Sequence, residues 1–580
     1  MNYLPLTKNI YPNLFTTITI VTSLNLSALA QSSPPPGINL PPNTPEIIEQ
    51  TIPNPSDSLP TLPHESPKSP PKPSLQTPTN YPPPETTSPT NISFPIQKIE
   101  VLGSTVLQDE IATLIQPFEN REVTFDELIE LRSAIAQLYI ENGYITSGAF
   151  LPNNQSLSSG IVQIQVVEGE LEDIEIAGLN HLQAGYIRRR LEIASSKPLN
   201  RQRLERALQL LQLDPLLTEI NAELTAGTTP GRNNLLVQVK EAQNFHGGIA
   251  VDNNRAPSIG SLQGSLFTTH DNLLGFGDRI SAQYGITQGL KIYNLNYNIP
   301  ITPQNATLNF SYNNGDSNII QDKFRDLDLR SESNTFSLSF RQPIIRSPQT
   351  EFALSLALDL RRSQTFILDD IPFSFSLGPE DGKANATVIR FTQDWVNRNA
   401  TRVLAARSQF SFGIDAFDAT INNTGTDAKF FSWIGQFQWV QRLSPRIVLI
   451  TKIDAQLTPD SLLPLERFSI GGGDTVRGYP QNQLVADNGI IGSIEVQIPL
   501  TSNPRVLQLT PFLNIGTSWN NQSSDPDPTT IASVGLGLNW LIDSGLIFSL
   551  DYGIPLIYFN KQNNSLQENG LSLALRYQLF

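Results

Sequence analysis

From Phe245 to the end of the chain, apolar residues recur at every second position and helical spacing is absent. Side chains on a strand point alternately to opposite faces, so this period marks β-structure whose two faces meet different surroundings. Tyr293, Leu295, Tyr297 and Ile299 alternate with Asn294, Asn296 and Asn298. Leu308, Phe310 and Tyr312 alternate with Asn309, Ser311 and Asn313. Phe352, Leu354, Leu356, Leu358 and Leu360 alternate with Ala353, Ser355, Ala357, Asp359 and Arg361. Phe431, Trp433, Phe437 and Trp439 lie opposite Ser432, Gln436 and Gln438, and Leu571 to Leu579 repeats the scheme.

Two architectures suit such strands: a soluble sandwich or barrel around an apolar core, and a membrane barrel with the apolar face outward. Three features favour the membrane barrel. The strands approach the ~9–11 residues that cross a bilayer at a tilt. Their polar faces carry the Asn, Gln, Ser, Arg and Asp of a wet lumen. Short connections such as 301–305 mix with long polar ones such as 314–331 and 369–384, the asymmetry of outer-membrane barrels. At about 20 residues per strand and connection, 243–580 holds roughly sixteen antiparallel strands. The last strand must pair with the first to remove the open edge, and the terminal Phe580 suits the membrane interface.

Composition narrows the chemistry. No stretch approaches the ~20 apolar residues of a spanning helix. A net charge of −15 argues against nucleic acid as a partner. There is no cysteine, so no disulfide or thiolate metal site can form. His64, His181, His246 and His270 are scattered without metal-ligand spacing. No glycine-lysine phosphate loop, nucleophile elbow or supported pair of catalytic carboxylates is present. The chain therefore reads as a non-enzyme without metal, nucleotide or other cofactor.

Three segments precede the strand-only region. Residues 1–30 have the plan of a signal peptide: Lys8, an apolar run from Leu14 to Leu29, then Ala28-Leu29-Ala30 before cleavage. Residues 31–94 read as a disordered, proline-rich linker, since 20 of the 44 prolines fall between 31 and 95. Its one helical candidate, Pro45 to Gln50, is too short to stand alone.

Two α/β units follow, over 95–169 and 170–242. In the first, a strand from Ile96 to Val101 precedes a helix from Leu107 to Ile115. Thr124 and Glu127 form a capping box ahead of a second helix carrying Leu128, Ile135, Leu138 and Tyr139. Strands over 144–151 and 161–167 complete the order β-α-α-β-β. The second unit repeats it: a strand from Leu171, a helix from His181 to Ile193, a helix capped by Asn200, then strands from Leu217 and Leu235. Arg188-Arg189-Arg190 reads as a solvated helix face.

Late in the strand region stands Gly471-Gly472-Gly473-Asp474-Thr475-Val476-Arg477-Gly478-Tyr479-Pro480. Glycines let the backbone turn tightly, and the arginine needs a partner. Together with the leader, the proline-rich lead, the two units and the barrel, Val476-Arg477-Gly478-Tyr479 resembles the hallmark loop of the two-partner secretion transporters, the haemolysin-activator (ShlB/FhaC/HecB-like) family. Leu199-Asn200-Arg201, Leu204-Glu205-Arg206-Ala207-Leu208 and Gly227 to Gly231 look like that family's polypeptide-transport-associated (POTRA) domain.

The resemblance implies an outer-membrane pore with two POTRA domains in the periplasm, exporting an unfolded, β-helical exoprotein. It implies that the glycine loop (Gly471, Gly472, Gly473, Val476, Arg477, Gly478, Tyr479) folds into the lumen. There the arginine would meet an acid in a Phe-x-Asp-x-Gly strand. That strand here reads Phe512-Leu513-Asn514-Ile515-Gly516. Asparagine accepts a hydrogen bond but cannot neutralise a guanidinium, so Glu495 on the preceding strand is the candidate counter-charge. Members also carry an N-terminal plug helix, for which the proline-rich lead offers no convincing candidate. The wider superfamily includes barrel-assembly factors, which stand as the alternative. A diffusion porin, which needs no periplasmic units, is the weaker one.

Overall fold

The computed structural model describes residues 40–41, 44–53, 62, 75–76, 93–153, 155, 159–368, 370–423, 425–559, 561 and 565–579. The leader over 1–30 and the terminal Phe580 lie outside the described residues.

A closed antiparallel barrel of sixteen strands runs from Phe245–Asp252 to Leu571–Gln578, each strand pairing with the next barrel strand. A two-residue strand, Ile371–Pro372, adds beside Thr350–Ile367. First and last strands meet from Gly248↔Gln578 to Asp252↔Ala574, so no edge stays open. The alternation is that of a barrel in lipid. Leu338, Leu356, Phe437, Leu513 and Leu536 are exposed outward, whereas Asp359, Arg390, Gln409 and Ser411 are buried inside.

The first α/β unit carries Lys98–Leu102, Gln108–Ile115, Phe125–Glu141, Gly148–Phe150 and Ile161–Val167. Ile161–Val167 is central in its sheet, parallel to Lys98–Leu102 and antiparallel to Gly148–Phe150. The Thr124 hydroxyl accepts from the Glu127 backbone N–H at 3.2 Å, and the Glu127 carboxylate accepts from that of Thr124 at 2.7 Å. Burial, above all, pushes the Tyr139 hydroxyl in this core up to about 12.

The second unit has Glu170–Ala177, Ala184–Glu192, Arg201–Gln212, Leu217–Ala226 and Arg232–Glu241. Its first helix begins at Ala184 rather than His181. The Glu241 carboxylate accepts backbone N–H groups of Asn180, His181 and Leu182, which holds that segment as a turn. This unit touches the barrel. Gln183 N donates to Gly275 O at 2.9 Å. Arg190 stacks 3.5 Å over the Tyr186 ring and donates to Asn305 Oδ1 at 3.1 Å. The arginine run is thus not uniformly solvated, because Arg190 fastens the unit to the 301–306 turn. Burial first, and then the Asp214 charge at 2.7 Å, raise the Tyr186 hydroxyl above its ordinary range. Short turns such as 301–306 face the α/β units, while long connections such as 319–329 and 458–487 lie at the other end.

The lead over 31–94 is not uniformly a disordered linker. Thr44–Glu49 is a helix inside the barrel. Its Ile47 and Ile48, with Ile52, are buried against Ile259, Ile319, Phe324 and Ile367 near the long-loop end. Six residues cannot form a stable helix alone; the barrel wall supplies the burial that the segment lacks. Farther on, Leu75–Gln76 pairs in parallel with Ala222 and Glu223, on the edge of the second unit's sheet.

Candidate functional site

The connection 458–487 folds into the lumen. Its Phe468–Ile470 pairs with Leu484–Ala486, so 471–483 becomes the tip of an internal hairpin. Gly471 and Gly472 take φ of +118° and +98°, conformations that L side chains rarely adopt. Gly473 does not, and lies beside the Asn254 side chain. Farther along, the backbone presses directly on the wall. A Cβ on Gly478 would lie 2.8 Å from the Gly553 backbone, and one on Gly553 would lie 2.6 Å from the Arg477 carbonyl oxygen. Only a glycine pair permits that approach.

Val476 and Tyr479 are buried with Phe468, Ile470, Ile531 and Phe559. The Tyr479 hydroxyl lies 2.9 Å from Ala532 O and 2.8 Å from Ile557 O, and accepts from Ile557 N at 3.2 Å. Apolar packing and a buried, satisfied hydroxyl therefore set the height at which Arg477 meets the wall.

Arg477 has acceptors on three strands. Its Nε donates to Asn514 Oδ1 at 3.3 Å. Nη1 donates to Glu495 Oε2 at 2.9 Å and to Asp551 Oδ1 at 3.3 Å. The guanidinium also lies 3.6 Å from the centre of the Phe512 ring, an attraction to the ring's negative face. Charge is balanced by two carboxylates, while Asn514 supplies only an oxygen. The buried Asn514 Nδ2 has no hydrogen-bond partner among the described residues. Asp551 escapes the sequence argument, although it left a signal: it is a lone acid on the polar face between Ser549 and Gly553.

A second clasp holds the base of the same loop. Glu466 is 1% exposed. It accepts from Arg361 Nη1 at 3.1 Å and from Arg390 Nη2 at 2.9 and 3.1 Å. Arg390 Nε donates in turn to Asp359 at 2.6 Å. Arg361 and Arg390 lie on Thr350–Ile367 and Lys383–Arg398, far around the barrel from the strands that receive Arg477. The loop therefore bridges the lumen from wall to wall.

The luminal helix is tied to this bridge. Arg467 Nη1 donates to both Glu49 carboxylate oxygens, at 2.8 and 2.9 Å. Asn482 Nδ2 donates to Gln50 O at 2.8 Å, and Arg361 Nη2 to Pro53 O at 2.8 Å. Among the described residues, no group of acids and histidines could hold a metal ion.

Comparison with known proteins gives the family. Residues 231–540 match the model of the haemolysin secretion/activation proteins ShlB/FhaC/HecB, and residues 94–169 match that of the ShlB-type POTRA domain. The outer membrane transporter CdiB of Escherichia coli is 24% identical over 486 residues, covering 80% of this chain and 79% of its own length. The heme/hemopexin transporter protein HuxB of Haemophilus influenzae (strain 86-028NP) is 26% identical over 196 residues, 33% of this chain and 34% of its own. The solved structure of CdiB from Escherichia coli superposes with a TM-score of 0.64 at 22% identity, covering 86% of this chain and 93% of that one. The chain belongs to the haemolysin secretion/activation family ShlB/FhaC/HecB: it is an outer-membrane, two-partner secretion transporter with a periplasmic POTRA module, and it works with a secreted exoprotein.

Proposed function

We propose that the luminal helix and the 458–487 loop together form the stopper of the export pore, and that both yield when the exoprotein passes. The carrying observation is the wall-to-wall loop, held at its tip by Arg477 and at its base by Glu466. At the wetter tip, ion pairs and hydrogen bonds can be exchanged for water or for the backbone of an unfolded chain, which apolar packing cannot offer. In this reading Gly471, Gly472, Gly473, Val476, Arg477, Gly478 and Tyr479 position the tip, and Glu495 and Asn514, joined by Asp551, receive it.

The 170–242 unit acts as a second POTRA domain, and residues 1–30 direct the chain across the inner membrane. The exoprotein is β-helical and adds a strand to an open edge of these units. Two features support edge pairing. Gly148–Phe150 ends its sheet with Phe150 46% exposed. This chain's own Leu75–Gln76 lies extended on part of the Leu217–Ala226 edge, as a partner's strand would. Lipid contacts the outward apolar face, and the partner's folding outside the cell draws it forward.

The test is deletion of this chain's gene from its host, followed by a census of the medium and the outer membrane. Loss of one secreted protein with the membrane unchanged is the expected result. Loss of many outer-membrane proteins would replace this reading with barrel assembly.

A further inference from the structure

The barrel seam between first and last strands is short. It spans five residue pairs, from Gly248↔Gln578 to Asp252↔Ala574. Fifteen pairs join Thr350–Ile367 to Lys383–Arg398. A ladder this brief carries few of the hydrogen bonds that hold neighbouring strands together.

Side chains extend it. Asn253, 1% exposed, donates from its backbone N to Leu573 O at 3.2 Å. Its side-chain Oδ1 accepts from Leu573 N at 2.7 Å, and Nδ2 donates to Leu571 O at 2.9 Å. One amide side chain thus takes the place of a further stretch of strand backbone. The carbonyl oxygen of Asn253 is in turn held by Gln567, whose Nε2 donates to Asn253 O and, at 3.0 Å, to Arg255 O. Gln567 is 2% exposed, and its remaining oxygen accepts from Gln481 N at 2.9 Å. Both ends of this amide are occupied, one by the seam and one by the luminal loop.

Gln481 precedes Asn482, whose side chain holds Gln50 O at the end of the luminal helix. A continuous run of hydrogen bonds therefore joins helix, loop and seam: Gln50, Asn482, Gln481, Gln567, Asn253, then the last strand. We infer that Gln567 is a positioning residue that makes closure of the seam depend on the stopper, so that withdrawal of the helix loosens the loop-end half of the first–last strand junction. The inference rests on the stopper reading above. It goes beyond that reading by assigning the barrel wall a response to the plug.

The chain contains no cysteine, so an introduced pair reports alone. Val251 and Leu575 face each other in the seam, 40% and 39% exposed on the lipid side. The rate of disulfide formation in a Val251→Cys/Leu575→Cys protein, in outer membranes, measures how well that register is kept. Leu338→Cys/Leu358→Cys, paired across another junction, is the control. Gln567→Met keeps the length of the side chain and removes every hydrogen bond of its amide. Asn482→Ala cuts the bond to Gln50 through which this run reaches the helix, while leaving the seam bonds of Gln567 intact. The expected result is a several-fold slower seam disulfide for Gln567→Met, for Asn482→Ala and for deletion of 40–53. The combined variants should be no slower than the worst single one, and the control pair should keep its rate.

A seam that slows with Gln567→Met but not with Asn482→Ala or the deletion would make Gln567 a local cap and overturn the coupling. So would no effect at all, or effects that multiply. If Gln567→Met fails to form a heat-modifiable barrel, Asn482→Ala and the deletion decide by themselves. The readout needs no exoprotein, so a failed export assay and a failed coupling remain distinct.

Discussion

The two clasps of the luminal loop use the same chemistry in different surroundings. At the tip, Arg477 is a single cation shared among two carboxylates, an amide and an aromatic face, with its side chain 12% exposed and those of Glu495 and Asp551 20% and 24%. At the base, Glu466 is a single anion between two arginines, and the three side chains are 0–5% exposed. Each contact at the tip can be exchanged for water. Those at the base cannot, because removing one partner strands a charge in a dry place. The difference points to a hinge at the buried base and motion at the wetter tip.

The sharpest way to break this contrast is Glu466→Ala. It leaves Arg361 and Arg390 buried without the carboxylate that they share, and breaking a buried pair costs about 3–5 kcal/mol. Denaturant unfolding of the purified barrel should show that loss, together with abolished export. Arg477→Ala should cost less, about 2 kcal/mol, the worth of hydrogen bonds to a charged group. The barrel should still assemble, by heat-modifiable mobility, while the exoprotein in the medium falls to near background. Normal export by that variant would remove the tip from the mechanism.

Glu49→Gln preserves the shape of the helix but discharges its pairing with Arg467. It should weaken docking by about 1 kcal/mol and raise the frequency of channel openings in planar bilayers severalfold, with barrel stability unchanged. Asn514→Asp should move stability least, since two carboxylates already balance Arg477 and the desolvation of a third, buried one offsets its attraction. A large gain would mean that the orphaned Asn514 amide weakens the tip more than its geometry suggests.

The barrel was legible because lipid on one side and water on the other impose a period of two over more than three hundred residues, a pattern that short-range sequence carries whole. Arg477 was legible because glycines around it announce a special backbone. The Glu466 clasp was not. Glu466 meets Arg390 and Arg361 across 76 and 105 residues of chain, and a charged residue two places after Pro464 looks like any surface turn. Asp551 falls between these cases, since an acid on a luminal face says that a cation is near without saying which. The Thr44–Glu49 helix was half legible: Pro45 to Gln50 stood out as a helical candidate, but its stability is borrowed from the wall, and six residues of sequence hold almost none of that. Arg190 likewise read as solvated because the turn that receives it lies more than a hundred residues on.

The pairing of Leu75–Gln76 with the second α/β unit has a consequence for timing. The chain between Pro53 and Leu75 is 21 residues long, a reach of at most about 70–75 Å when fully extended. A helix that leaves the lumen therefore stays on a leash whose far end is fixed at the periplasmic mouth. Its return is a one-molecule event at an effective concentration on the order of millimolar, independent of how many transporters the membrane holds. On the stopper reading the leash returns the same helix to the same pore, so shortening 54–74 would change how long that pore stays open.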